Sequence, residues 1–129
     1  MPLSGLDHVT ILSEDLETTR AFYCNVLGLT EGGRPDLGFP GYWLYCDGRA
    51  VVHLISHNGR LAENRREAFS MGGAALDHVA FHGRDASEVI CRLQAHNIAY
   101  RENRIAEIGL QQLFVRDPNG LMIEMNFRN

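Results

Sequence analysis

Apolar and polar residues alternate along residues 6–12 and again along residues 76–82, the period-two pattern of strands with one buried face. Behind each strand the period lengthens to that of a helix. Leu16, Tyr23, Val26 and Leu27 share one helical face after the start signals Ser13 and Asp15, and Val89, Ile90 and Leu93 share one after Asp85. Asp85 with Glu88 three residues on resembles a capping box, and Gly28 and Asn97 stand where left-handed C-caps are expected. Strand-like runs come after each helix and close in a hairpin. Asp47-Gly48 joins residues 43–46 to residues 50–55, while Asp117-Pro118-Asn119-Gly120 places Pro at i+1 and Gly at i+3 of a type I turn between residues 113–116 and 121–127.

The order of elements repeats because the sequence does. Leu6-Asp7-His8-Val9 returns as Leu76-Asp77-His78-Val79, and the elements after the two copies match in kind, so each half reads βαβββ. This predicts an α+β fold of two βαβββ modules in a single domain over 1–129, with module one over 5–56 and module two over 76–128. Between them, residues 57–75 read as a linker, polar and charged at first and then glycine-bearing, with Gly72-Gly73 just ahead of the second copy. Residues 61–69 could hold a short helix within it.

Composition narrows the possibilities. At 129 residues with 45% hydrophobic and 22% charged side chains the chain has the make-up of one ordinary globular domain. Its net charge of −4, with both signs interspersed, offers no basic stripe for a phosphate backbone, which argues against nucleic acid as a partner. No apolar run approaches the roughly 20 residues of a membrane span. The opening MPLSGLDHVT has neither the charged nor the apolar region of a secretory leader, so no membrane association and a cytoplasmic location are expected. Cys24, Cys46 and Cys91 are odd in number and widely spaced, which argues against a disulfide framework or a CxxC metal site and predicts buried thiols.

The informative exceptions are polar residues inside apolar strands. His8, His53, His78 and Glu124 each have apolar neighbours on both sides. Their spacing follows the repeat, since 8 to 53 is 45 positions and 78 to 124 is 46. Two halves packed about a pseudo-twofold axis would turn all four toward a common concave surface. Three imidazoles and one carboxylate suit Zn, Ni, Co, Fe or Mn, leave positions for substrate or water, and keep a divalent ion net positive, hence a Lewis acid for an anionic oxygen ligand. A lone strand histidine is more often a hydrogen-bonded core residue. It is the joint, repeat-equivalent placement beside a carboxylate that favours a metal.

Alternation puts Thr10 on the face of His8, His82 on that of His78 and His57 on that of His53, as candidate pocket residues, though a solvent-facing strand end is as good a reading for His57 and His82. His96, at a polar helix end, reads as solvated. Phe39, Tyr42, Trp43 and Tyr45 could wall a pocket, Trp43 in particular, or fill the core. Arg49, Arg104 and Arg116 could hold a substrate carboxylate, but surface charge is their ordinary role. No serine or cysteine triad spacing emerges.

The chain resembles the vicinal oxygen chelate superfamily, which includes glyoxalase I, methylmalonyl-CoA epimerase, fosfomycin-modifying thiol transferases and extradiol dioxygenases. The likeness spans nearly the whole chain. It is carried by Leu6-Asp7-His8-Val9, by Ala21-Phe22-Tyr23 through Leu27-Gly28-Leu29, by Leu76-Asp77-His78-Val79, and by the closing Arg116-Asp117-Pro118-Asn119-Gly120-Leu121-Met122-Ile123-Glu124. The resemblance implies a cupped mixed sheet and one divalent metal ion, Zn, Ni, Mn or Fe, on His8, His78 and Glu124 with a fourth ligand at His53. It implies a metal-dependent lyase or isomerase acting on a small substrate with vicinal oxygens through a chelated, enediolate-type intermediate. Glu124 would be the base, with His53 or His82 assisting, and a homodimer would be able to build each site from both chains. Gln112 is a further candidate pocket residue.

Other members of the superfamily supply the alternatives. An extradiol-type dioxygenase would use His8, His78 and Glu124 as an iron triad with His53 near its acid–base histidine, although Phe114 stands where those enzymes typically have Tyr. The thiol transferases share a Thr at the place of Thr10. A non-enzymatic, drug-sequestering class usually lacks the four ligands retained here.

Overall fold

The computed structural model describes residues 2–56 and 75–129. Each half folds as its own four-stranded mixed sheet. Module one comprises β1 (Val9–Ser13), α1 (Leu16–Ala21), β2 (Thr30–Gly32), β3 (Gly41–Cys46) and β4 (Arg49–Ser56); module two comprises β5 (His78–Gly83), α2 (Ala86–Ala95), β6 (Arg101–Ile105), β7 (Leu110–Arg116) and β8 (Met122–Arg128). The sheet orders are β1-β4-β3-β2 and β5-β8-β7-β6. In both, the first strand lies parallel to the last, a pairing that the helical crossover makes possible, and the remaining pairs are antiparallel. The sequence assigned as linker lies outside the described residues from 57 to 74, and with it His57, Gly72-Gly73 and the short helix expected at 61–69.

The helix starts form as their caps predict. Asp15 Oδ1 accepts the Thr18 N–H at 2.9 Å, and Asp85 Oδ1 accepts the Glu88 N–H at 3.0 Å. The capping box at Asp85 is half made, because the Glu88 carboxylate pairs forward with Arg92 at 3.3 Å instead of reaching back. The first helix does not run straight to Gly28. It widens into a π-helical turn over Phe22–Val26, closed by the Leu27 N–H on the Phe22 carbonyl at 3.2 Å, before Gly28 turns the chain at φ +86°. Asn97 ends α2 in the left-handed region, as expected, with the Ile98 N–H on the Leu93 carbonyl at 2.8 Å.

One core serves both modules. Tyr23, Leu44, Val52 and Leu54 belong to the same buried cluster as Leu93, Leu113, Ile123 and Met125. Each fully buried side chain of this size contributes about 1.5–3 kcal/mol of transfer free energy. Between the sheets, Val9, Ile11 and Val52 meet Val79, Phe81, Leu121 and Ile123. These are alternate strand positions, so the intervening residues His8, Thr10, His78, Ala80 and Glu124 are turned away from the shared core.

A polar seam adds to the apolar one. The Asp117–Gly120 turn docks on the start of the first helix, where Glu14 N–H donates to Asn119 Oδ1 and Asn119 Nδ2 to Thr19 Oγ1, each at 3.1 Å. The cysteines differ from expectation. Cys24 and Cys46 are half-buried and Cys91 is exposed, since Cys91 lies beside, and not within, the Val89–Ile90–Leu93 stripe that faces the core. All three are free thiols. Among the described residues no helix is long and apolar enough to cross a membrane.

Candidate metal centre

The repeated Asp-His pair is a structural unit in both modules. His8, directly ahead of β1, holds Asp7 Oδ2 through Nδ1 at 2.6 Å, and His78, first in β5, holds Asp77 Oδ2 through Nδ1 at 2.7 Å. A carboxylate only accepts, so in each case Nδ1 carries the proton and Nε2 is left as the donor atom for a ligand. His78 Nε2 lies 3.3 Å from Glu124 Oε1. That pairing follows from the parallel register of β5 and β8, in which Ala80 stands beside Glu124. Glu124 is the better enclosed of the two, its side chain 14% exposed against 39% for His78.

On the other sheet the register sets Thr10 and Trp43 to either side of His53. The His53 ring is sandwiched, 3.7 Å from His8 at 13° and 4.2 Å from Trp43 at 12°. His53 Nε2 donates to the Ala50 carbonyl at 3.1 Å, which leaves Nδ1 as its lone-pair nitrogen. Burial in this stack, and after it the charge of His8, holds the His53 imidazole below the ordinary histidine range. The Asp77 hydrogen bond holds His78 above it. Asp7 lies below the usual carboxylate range for the reciprocal reason, its bond to His8.

The four candidate ligands are thus brought together as two pairs on two sheets, His8 with His53 and His78 with Glu124. Within one chain the pairs do not join. Among the described residues no three such side chains gather closely enough to hold an ion. The reason is the alternation that seals the core: Val9 and Val79 point inward, so the histidines before them point outward. The donor chemistry still fits a divalent metal, because His8 and His78 each present an Asp-oriented Nε2 and Glu124 a carboxylate oxygen. His53 fits less directly. Two stacked, parallel rings carry their lone pairs in separate planes, so His8 and His53 can reach one ion only if a ring turns.

Of the further candidates, Thr10 and His82 are exposed, and His82 Nδ1 lies 3.4 Å from the Arg128 guanidinium. Trp43 is half-buried against His53 and not in the fully buried core. Gln112 reaches Glu124 itself, with Nε2 3.3 Å from Oε2. Sequence reasoning missed the orienting role of Asp7 and Asp77, although their place in both copies of the repeat is the signal that finds them. It also missed Asn126, whose Nδ2 donates to Glu124 Oε2 at 2.8 Å. Alternation along β8 would have placed Asn126 on the face of Glu124.

Comparison with known proteins agrees with this architecture. The chain belongs to the Glyoxalase/Bleomycin resistance protein/Dioxygenase superfamily, whose family model matches residues 5–125. It is 31% identical over 126 residues to Glyoxylase I 4 of Arabidopsis thaliana, a match that spans 95% of this chain and 70% of the plant protein. Among solved structures, the glyoxylase/bleomycin resistance protein/dioxygenase domain from Frankia sp. EAN1pec superposes with a TM-score of 0.73 at 20% identity, covering 98% of this chain and 99% of that one. Lactoylglutathione lyase from Agrobacterium tumefaciens superposes with a TM-score of 0.67 at 19% identity, covering 98% and 96%. At these identities the two structures support the fold alone.

Proposed function

We propose that the protein is a metal-dependent, glyoxalase-like lyase or isomerase acting on a small substrate with adjacent oxygens, with one divalent ion held by His8, His53, His78 and Glu124. The observation that carries this reading is the Asp-held histidine in each module, with Nδ1 tied to Asp7 or Asp77 and Nε2 turned away from it, in His78 toward Glu124 Oε1. Since neither pair is complete alone, a second copy of the chain supplies the complementary one, and the working unit is a homodimer. The ion would supply Lewis acidity toward the substrate's oxygens.

The chain's own residues do the rest. His53 Nδ1 is its one lone pair, held in place by the Ala50 carbonyl on the opposite nitrogen; it is the fourth ligand where the ring turns to the ion and a proton acceptor where it does not. Glu124, whose Oε1 faces His78, is the first candidate for the base, and His53 assists it. Trp43 covers one face of the His53 ring.

Elemental analysis of protein purified without added metal tests this, together with complementation between chains. About one ion per chain, lost in Glu124→Ala, is expected. Co-expressed His8→Ala and Glu124→Ala chains should regain one intact site per mixed dimer if the site is shared, and none if it is not. Iron as the native ion would favour the dioxygenase reading over the isomerase. No ion even after reconstitution would overturn the metal site and leave the Trp43-walled face as a small-molecule binding surface.

A further inference from the structure

We propose that Asn126 and Gln112 are positioning residues that clamp Glu124 by one oxygen, so that it meets the ion through the other alone; this rests on the metal site proposed for His8, His53, His78 and Glu124. Asn126 comes two places after Glu124 on β8 and so shares its face. Gln112 on β7 stands directly opposite Asn126, and Asn103 on the edge strand β6 directly opposite Gln112. Their side chains form a one-way relay. Asn103 Nδ2 donates to Gln112 Oε1 at 2.9 Å, and Gln112 Nε2 donates both to Asn126 Oδ1 at 3.2 Å and to Glu124 Oε2 at 3.3 Å. Asn126 Nδ2 completes it on the same Glu124 Oε2 at 2.8 Å.

The relay has one workable orientation. Turning the Gln112 amide over would set its oxygen against Glu124 Oε2, acceptor against acceptor, and would leave Asn103 facing a second donor. Two donors on Oε2 occupy its lone pairs, while among the described residues Oε1 has only the 3.3 Å approach of His78 Nε2. A carboxylate held this way offers one ligand atom in a set direction and does not swing to bind through both oxygens. That leaves a coordination position for substrate.

Asn126→Leu and Gln112→Leu remove the donors at similar volume. Gln111→Leu is the control, since Gln111 pairs with Glu102 at 2.9 Å, away from Glu124. Co2+ titration of each metal-free protein, with visible absorption as the readout, should give a dissociation constant about 10- to 100-fold higher in Asn126→Leu, a smaller rise in Gln112→Leu, and altered band positions in both. Gln111→Leu should match the parent protein. If Asn126→Leu does not fold, Asn126→Ser replaces it. Parent-like affinity and bands in the Asn126 and Gln112 variants would overturn the clamp alone, whereas a parent protein that binds no Co2+ would overturn the metal site and the clamp's purpose with it.

Discussion

The Tyr23 hydroxyl of module one donates a 2.7 Å hydrogen bond to Asp117 Oδ2 of module two, and both residues are buried. The other Asp117 oxygen accepts the Asn119 and Leu121 N–H groups at 2.8 and 2.9 Å, so the carboxylate is fully used by its own turn and by the opposite module. Removing the phenol leaves a buried carboxylate oxygen without its partner. Tyr23→Phe should therefore cost about 1.5–3 kcal/mol, measured by urea unfolding. A loss of only a few tenths would mean that water or a neighbour replaces the hydroxyl.

The same pair sets an alkaline limit on stability. Burial, and then the Asp117 charge, pushes the Tyr23 phenol far above its ordinary value, so the folded chain keeps the proton that the unfolded chain releases. The contribution is fully present below about pH 10, the value in unfolded chains, and is lost as pH rises above it. Unfolding free energy should fall there with a slope that Tyr23→Phe reduces by one proton. Equal slopes in the two proteins would remove Tyr23 from the alkaline transition.

Ser13, at the end of β1, is buried, and its hydroxyl has no hydrogen-bond partner among the described residues. An unpaired buried hydroxyl is a net cost. Ser13→Ala should raise stability by about 1 kcal/mol in denaturant unfolding, and a loss would reveal a partner for the hydroxyl.

Asp77→Asn keeps the shape of the orienting group but weakens its hold on His78 Nδ1. Metal affinity should fall about 10- to 100-fold, and Asp7→Asn should act alike through His8. Calorimetric titration with Zn2+ checks both. Unchanged affinity in the pair would show that the aspartates serve only the fold.

The features legible in the chain were those that local rules decide. Asp15 and Asp85 cap, Asp47-Gly48 turns at φ 51° and 78°, and the strands alternate because each of these depends on neighbours in sequence. The π-helical turn at Phe22–Val26 was not legible, since it accompanies a Tyr23 whose partner lies 94 residues away. The site divides in the same way. The repeat singled out His8, His78 and Glu124, and parallel pairing within each sheet placed them. Whether the pairs join depends on how the two sheets pack, a choice made by Val9, Ile11, Val79 and Phe81, whose apolar character says only that they are buried.

The chain has one tryptophan, and it lies against His53, which in turn lies against His8. Any occupant that draws either imidazole out of this column changes the surroundings of the sole indole. Its fluorescence therefore reports on these two imidazoles, so occupancy of the proposed site can be tracked in the unlabelled protein with an ordinary fluorimeter.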